Sequence, residues 1–182
     1  MNYIAFFSQT GSEINEIRKA LNIIPALLVT NRQDLEGVNE ELVRDCGNRI
    51  IYLPRKPKID DYKKLIEEHQ EIFDDCVITL NGYLRIIPAF MCEQFRIYNG
   101  HPGQIIDYPE LKGFNPQERA FNGGYKTAGA VIHEVSAGVD EGRILAHNEI
   151  SIEGLTLDQV YFELHKVSVT LWVDFLREIL KK

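Results

Sequence analysis

Two short segments of this 182-residue chain carry side chains suited to proton-transfer chemistry. Asn99-Gly100-His101-Pro102 offers an amide and an imidazole, and Val139-Asp140-Glu141-Gly142 offers a carboxylate. A single histidine after an apolar run is ordinarily a capped or solvated loop residue. Here Gly100 and Pro102 restrict the backbone on both sides of His101, as a chain does when a side chain has to be aimed. The preceding Phe95-Arg96-Ile97-Tyr98 has strand composition, and both segments read as loops that follow β-type runs. The carboxyl ends of strands are where open α/β sheets keep their chemistry.

The elements that must hold these groups follow from hydropathy. Short apolar runs at 4–7, 26–30, 49–53, 76–80 and 95–98 predict buried strands of a parallel sheet. Helical spacing fills the intervals at 13–21, 35–46, 60–73 and 88–94. In the third of these, Tyr62, Leu65, Ile66, His69 and Phe73 form one face. This alternation predicts an α/β fold of Rossmann type, with a mostly parallel central sheet flanked by helices. Beyond Asn99 the pattern changes. A turn-rich stretch leads to a short helix at 116–122, two strands at 128–135 and 143–150 joined by a loop at 136–142, and a long final helix at 156–181. That helix has Val160, Leu164, Val167, Leu171 and Phe175 on one stripe. No repeat or low-complexity linker interrupts the chain, which predicts one domain over 1–182.

Composition narrows the partners. With 20 Lys and Arg against 27 Asp and Glu the net charge is −7, so no global basic field exists to hold nucleic acid. The odd count of three cysteines, Cys46, Cys76 and Cys92, contains no Cys-x-x-Cys pair; they read as reduced thiols of a cytoplasmic protein, with no metal site. Neither a secretory leader nor an apolar stretch of membrane-spanning length is expected. The first strand-to-helix turn, Ser8-Gln9-Thr10-Gly11-Ser12-Glu13, presents main-chain N–H groups that would attract an anion, although capping by Thr10 or Ser12 explains the same residues. Asn81-Gly82-Tyr83-Leu84-Arg85-Ile86-Ile87-Pro88 is an apolar loop against which a flat ligand or simply the core can pack.

Asn81 through Pro88, Asn99-Gly100-His101-Pro102, Tyr108-Pro109, Gly113-x-Asn115-Pro116, Gly129 through His133 and Asp140-x-Gly142 occur in a telling order. The chain resembles, over nearly its whole length, the catalytic domain of the 10-formyltetrahydrofolate-dependent formyltransferases. That domain is shared by glycinamide ribonucleotide formyltransferase, methionyl-tRNA formyltransferase and the nucleotide-sugar N-formyltransferases. The resemblance implies transfer of a formyl group from the reduced folate, as co-substrate, to a primary amine. Asn99 would donate its amide N–H to the formyl oxygen as charge develops, and His101 would add a second hydrogen bond. Asp140 would hold His101 and an ordered water and relay the amine proton to the leaving nitrogen. The folate ring would lie among Leu84, Arg85, Ile86 and Ile87 and the loop Ala137, Gly138, Val139 and Glu141, read by backbone groups and not by the Arg85 side chain. His133 would support the catalytic set.

Departures from the family pattern bear on the acceptor. Residues implied in holding it are Gly11, Ser12, Glu13, Pro102, Asn115 and Glu163. Glu13 stands where the glycinamide ribonucleotide enzymes place an asparagine near the substrate phosphate, and a carboxylate opposes a phosphate. Those enzymes also pair a glutamate with a histidine in the last helix; here Leu164 precedes His165, with Glu163 one step off register. Gly113-x-Asn115-Pro116 is closer to the sugar and tRNA branches. The resemblance therefore favours an amino-sugar, free or nucleotide-linked, over glycinamide ribonucleotide as acceptor, with a non-catalytic folate- or nucleotide-binding module as the third reading. Formyltetrahydrofolate hydrolases share the three polar residues but add an N-terminal regulatory domain. The final helix is the element on which a homodimer would form.

Overall fold

The structure, a computed structural model, describes residues 1–136 and 140–181. It comprises two compact units that divide between Tyr98 and Asn99.

In the first unit, strands β1 (Asn2–Phe7), β2 (Leu27–Thr30), β3 (Ile50–Tyr52) and β4 (Cys76–Leu80) run parallel in the order β3-β2-β1-β4. Helices α1 (Ser12–Leu21), α2 (Glu40–Cys46), α3 (Ile59–Glu68), α4 (Gln70–Phe73) and α5 (Ala89–Gln94) connect them and lead to β5 (Arg96–His101), which passes into the second unit. β1 and β4 are buried on both faces, and Ile4, Ala5, Phe6, Phe7 and Ile78 are fully buried, as in parallel strands covered on both sides. Two predicted helices are corrected. The helix expected from residue 35 begins at Glu40, because the Asn39 side chain accepts the Leu42 N–H at 3.0 Å and caps it there. The helix expected over 60–73 breaks at His69, whose backbone (φ −130°, ψ 30°) is not helical.

The first turn also differs from expectation. The cap position of α1 is Gly11 and not Thr10 or Ser12; the two hydroxyls lie 2.9 Å apart, and Thr10 Oγ1 accepts the Ser12 N–H at the start of the helix at 3.3 Å. Gly11 has φ +69°, and a Cβ there would stand 2.6 Å from Leu42 Cδ2. Only glycine meets both conditions without strain.

The second unit contains the end of β5, strands β6 (Thr127–Glu134) and β7 (Ile144–Ser151), helix α6 (Pro116–Asn122) and the long α7 (Leu157–Ile179). β6 and β7 are antiparallel, with a register shift between Ile132 and His133. α7 starts at a capping box in which Thr156 and Gln159 bond each other's backbone N–H groups at 3.3 and 2.8 Å. Ile105, Leu111, Ala120, Ala128, Val131, Ile152, Val160 and Leu164 form its core. The stripe predicted on α7 holds through Val167 and then moves to Trp172, Val173 and Leu176, with Leu171 and Phe175 half-buried. No helix among the described residues is long and apolar enough to cross a membrane. The three cysteines are unpaired; burial pushes the Cys76 thiol up to about 11, and such a thiol behaves as a small apolar group.

Candidate active site

Asn99 and His101 belong to β5 and not to a loop after it. The strand continues to His101, and Pro102, which has no N–H to give, follows its end. Side chains two apart on a strand point the same way, so the amide and the imidazole share a face. His133 lies at the β6–β7 irregularity, where an extra β7 residue re-aims the facing strand. Gly142 permits the close crossing beside it, since a Cβ there would fall 1.6 Å from the Glu134 carbonyl oxygen. Asp140 has φ +52°, a conformation that short polar residues tolerate better than most.

These four side chains meet. Asp140 Oδ2 accepts the Gly113 N–H at 3.0 Å and lies 3.2 Å from His101 Nδ1. Asp140 Oδ1 accepts from Asn99 Nδ2 at 3.3 Å and lies 3.3 Å from His133 Nε2. Burial alone would raise the Asp140 pKa. The hydrogen bond at His133, the charge of His101 and the Gly113 N–H outweigh that effect and hold it at about 2, so the group is a carboxylate at neutral pH.

The two imidazoles have different settings. His101 is 5% exposed, and its Nε2 donates to the Leu111 carbonyl at 2.9 Å. Burial pushes its pKa below the ordinary 6.5, while Asp140 and that carbonyl pull the other way. Both ring nitrogens face oxygen acceptors, so the imidazolium alone donates at each end. His133 donates from Nδ1 to the Glu134 carbonyl at 2.8 Å, and its Nε2 stands 3.1 Å from Asn99 Nδ2. A neutral His133 accepts from Asn99; a protonated one donates to Asp140.

Main-chain groups that the sequence does not mark complete the cluster. Arg119 of α6 donates to the carbonyls of Glu110 and Lys112, at 2.5 and 2.6 Å, and His101 takes the intervening Leu111 carbonyl. Three successive carbonyls are thereby fixed just ahead of Gly113. Gly113 (φ +82°) and Asn115 (φ +50°), both left-handed, flank Phe114, which is 80% exposed. Gly103 has its own reason to be glycine: a Cβ there would meet His101 Nε2 at 2.7 Å.

The remaining predicted residues are placed as follows. Pro102 is half-buried, Asn115 is the N-cap residue of α6 without a side-chain cap bond, and Glu163 pairs with Lys166 at 2.9 Å. Glu141 is exposed, and Ala137, Gly138 and Val139 lie outside the described residues. In the first unit, Leu84 and Ile86 are exposed and Ile87 is buried. Arg85 turns its guanidinium to the Arg55 and Leu84 carbonyls at 3.0 and 2.9 Å. Gly11 and Ser12 open α1, and Glu13 Oε2 accepts from Asn81 Nδ2 at 2.8 Å. Among the described residues no cluster of His, Cys, Asp and Glu has the arrangement of a metal site.

Comparison with known proteins gives this geometry a family. Residues 1–176 match the family described as Formyl transferase. The chain is similar to the phosphoribosylglycinamide formyltransferase of Bacillus subtilis (strain 168), 29% identical over 122 residues that cover 65% of this chain and 61% of the relative. It is also similar to the formyltetrahydrofolate deformylase of that organism, 30% identical over 144 residues, covering 75% of this chain and 42% of the relative. It thus spans less than two thirds of either relative's length. A crystal structure of phosphoribosylglycinamide formyltransferase from Bacillus halodurans superposes with a TM-score of 0.83 at 26% identity, covering 100% of this chain and 96% of that one. A match that takes in all but the last six residues, with the fold to accompany it, makes the chain a member of the formyl transferase family.

Proposed function

We propose that this protein transfers a formyl group from 10-formyltetrahydrofolate to the primary amine of a small metabolite, with 1–182 acting as one catalytic domain. The observation that carries the reading is the convergence of Asn99, His101 and His133 on the Asp140 carboxylate. The folate supplies an activated formyl carbon. Exposed Leu84 and Ile86 beside buried Ile87 suit its flat ring, and the Arg85 guanidinium is engaged by the Arg55 and Leu84 carbonyls.

The residues divide the work. Asn99 donates N–H to the formyl oxygen as negative charge grows there, worth about a hundredfold or more in rate for one well-aimed donor. Asp140, a carboxylate at neutral pH, accepts the proton that the attacking amine must lose and passes it, directly or through water, to the nitrogen that leaves. His101, with Nε2 committed to Leu111, steadies Asp140 through Nδ1 in its imidazolium form, the form in which both ring nitrogens donate. Asn99 Nδ2 lies within hydrogen-bond distance of both His133 Nε2 and Asp140 Oδ1, and serving the formyl oxygen means giving up one of these two partners.

The named relatives favour glycinamide ribonucleotide as acceptor over the amino-sugar expected from the residues. One observation keeps the second acceptor in play: Glu13, bonded to Asn81, puts negative charge in the turn where a phosphate would need donors. The test is a panel of glycinamide ribonucleotide, amino-sugars and nucleotide-linked amino-sugars with 10-formyltetrahydrofolate, following tetrahydrofolate by absorbance and products by mass spectrometry. Amine-dependent release with a formylated product is expected. Release without such a product would make the protein a hydrolase, and no release with any amine would sink the reading.

A further inference from the structure

Trp172, the single tryptophan of the chain, is completely buried on α7. Its indole occupies the space that a side chain at position 100 would need. A Cβ built on Gly100 would lie 2.6 Å from Nε1, 3.0 Å from Cε2 and 3.1 Å from Cζ2. Because strand side chains alternate, that missing side chain points away from the face that carries Asn99 and His101. The indole therefore abuts the main chain behind the two polar groups.

A second observation concerns the indole N–H. Buried tryptophan N–H groups usually find an acceptor. Among the described residues Trp172 Nε1 has none. The ring plane is set by packing on Gly100 and by edge contact with Phe175, whose ring centre is 6.1 Å away, and not by a hydrogen bond.

We propose that Trp172 is a positioning residue: its indole, seated in the gap left by Gly100, stops the end of β5 from retreating and so fixes Asn99 and His101 against Asp140. This rests on the proposed function only where turnover is read. The pair is complementary in shape. Gly100 is small because Trp172 is present, and a change at one position has to be answered at the other. A displacement of about 1 Å at reacting groups can cost about a hundredfold in rate, so the effect should be visible in turnover.

The experiment compares Gly100→Ala, Trp172→Leu and the double variant with the wild type. Gly100→Ala should lower kcat about tenfold or more while KM for the formyl donor stays within about twofold, and should move the NMR titration of the His101 ring. In the Trp172→Leu background the added methyl has room, so the same substitution should cost at least about fivefold less. Equal cost in both backgrounds, or an unchanged His101 titration in Gly100→Ala, would overturn the proposal. Should the Trp172 variant not fold, the wild type serves: the lone indole N–H resonance should shift as His101 titrates and when 5-formyltetrahydrofolate binds. An indole signal that ignores both would equally overturn it. The titrations need no formyl transfer, so coupling without turnover would refute the proposed function and leave the positioning role standing.

Discussion

Asp140→Asn isolates the charge at the centre of the cluster. Asparagine keeps the shape and accepts the left-handed backbone at φ +52°, so the perturbation is electrostatic and not conformational. The Asp140 side chain is 9% exposed, and its pKa is held at about 2 against an ordinary 3.8. That difference corresponds to about 2 kcal/mol of folding free energy. Because the folded value is the lower one, the contribution is fully present above about pH 4 and fades as the pH falls toward about 2. The variant, with no carboxylate to titrate at this position, lacks that contribution at every pH. Its amide must also turn one N–H toward Asn99 or Gly113, both donors, which adds a pH-independent cost of about 1–3 kcal/mol. Thermal unfolding of both proteins from neutral to acid pH should show the variant melting lower, with the gap narrowing by about 4–8 °C over that acid window, given about 2–4 °C per kcal/mol for a chain of this size. Subtracting the two curves cancels the other carboxylates. A gap that does not narrow would refute the assignment of Asp140 as a buried carboxylate sustained by its neighbours.

Turnover of Asp140→Asn, measured with whichever amine proves active, should fall by about two to four orders of magnitude. Gly103→Ala places a methyl 2.7 Å from His101 Nε2 and 2.8 Å from Pro116 Cβ, so a loss of about 1–3 kcal/mol by denaturant titration is expected, together with a fall in kcat; unchanged stability would mean the ring moves aside freely. His133→Phe leaves the half-buried Asn99 amide with one acceptor fewer and should cost about 1–3 kcal/mol; a neutral result would show that water replaces the imidazole. Glu13→Asn removes a negative charge from the first turn and should strengthen binding of glycinamide ribonucleotide more than that of an unphosphorylated amine. Equal effects on both, by calorimetry, would place Glu13 away from the phosphate.

Where one strong local signal decided an element, its limits were legible in the sequence. β4 coincides with the apolar run Cys76–Leu80, and α6 with Pro116–Asn122, which has proline at its first position and glycine after its last. The end of β5 was not legible, because Asn99-Gly100-His101 has turn composition and only pairing within the sheet keeps it extended. The drift of the α7 stripe to Trp172 likewise depends on where Gly100 leaves space. In the site, titratable residues announce themselves by type. The Leu111 carbonyl and the Gly113 N–H do not, since every residue but proline carries such groups and their use is decided by the fold alone.

The pinning of residues 110–113 has a consequence for redesign. Arg119, His101 and Asp140 hold four consecutive main-chain groups there, so this segment behaves as a bracket shared by the loop that follows and by the Asp140 cluster. A graft that replaces residues 104–115 with a loop of different length from another family member pulls directly on the carboxylate. Loop and chemistry are therefore not separable modules in this chain, and a change of acceptor is best sought by single side-chain replacements at exposed positions such as Phe114, where the main chain can stay still.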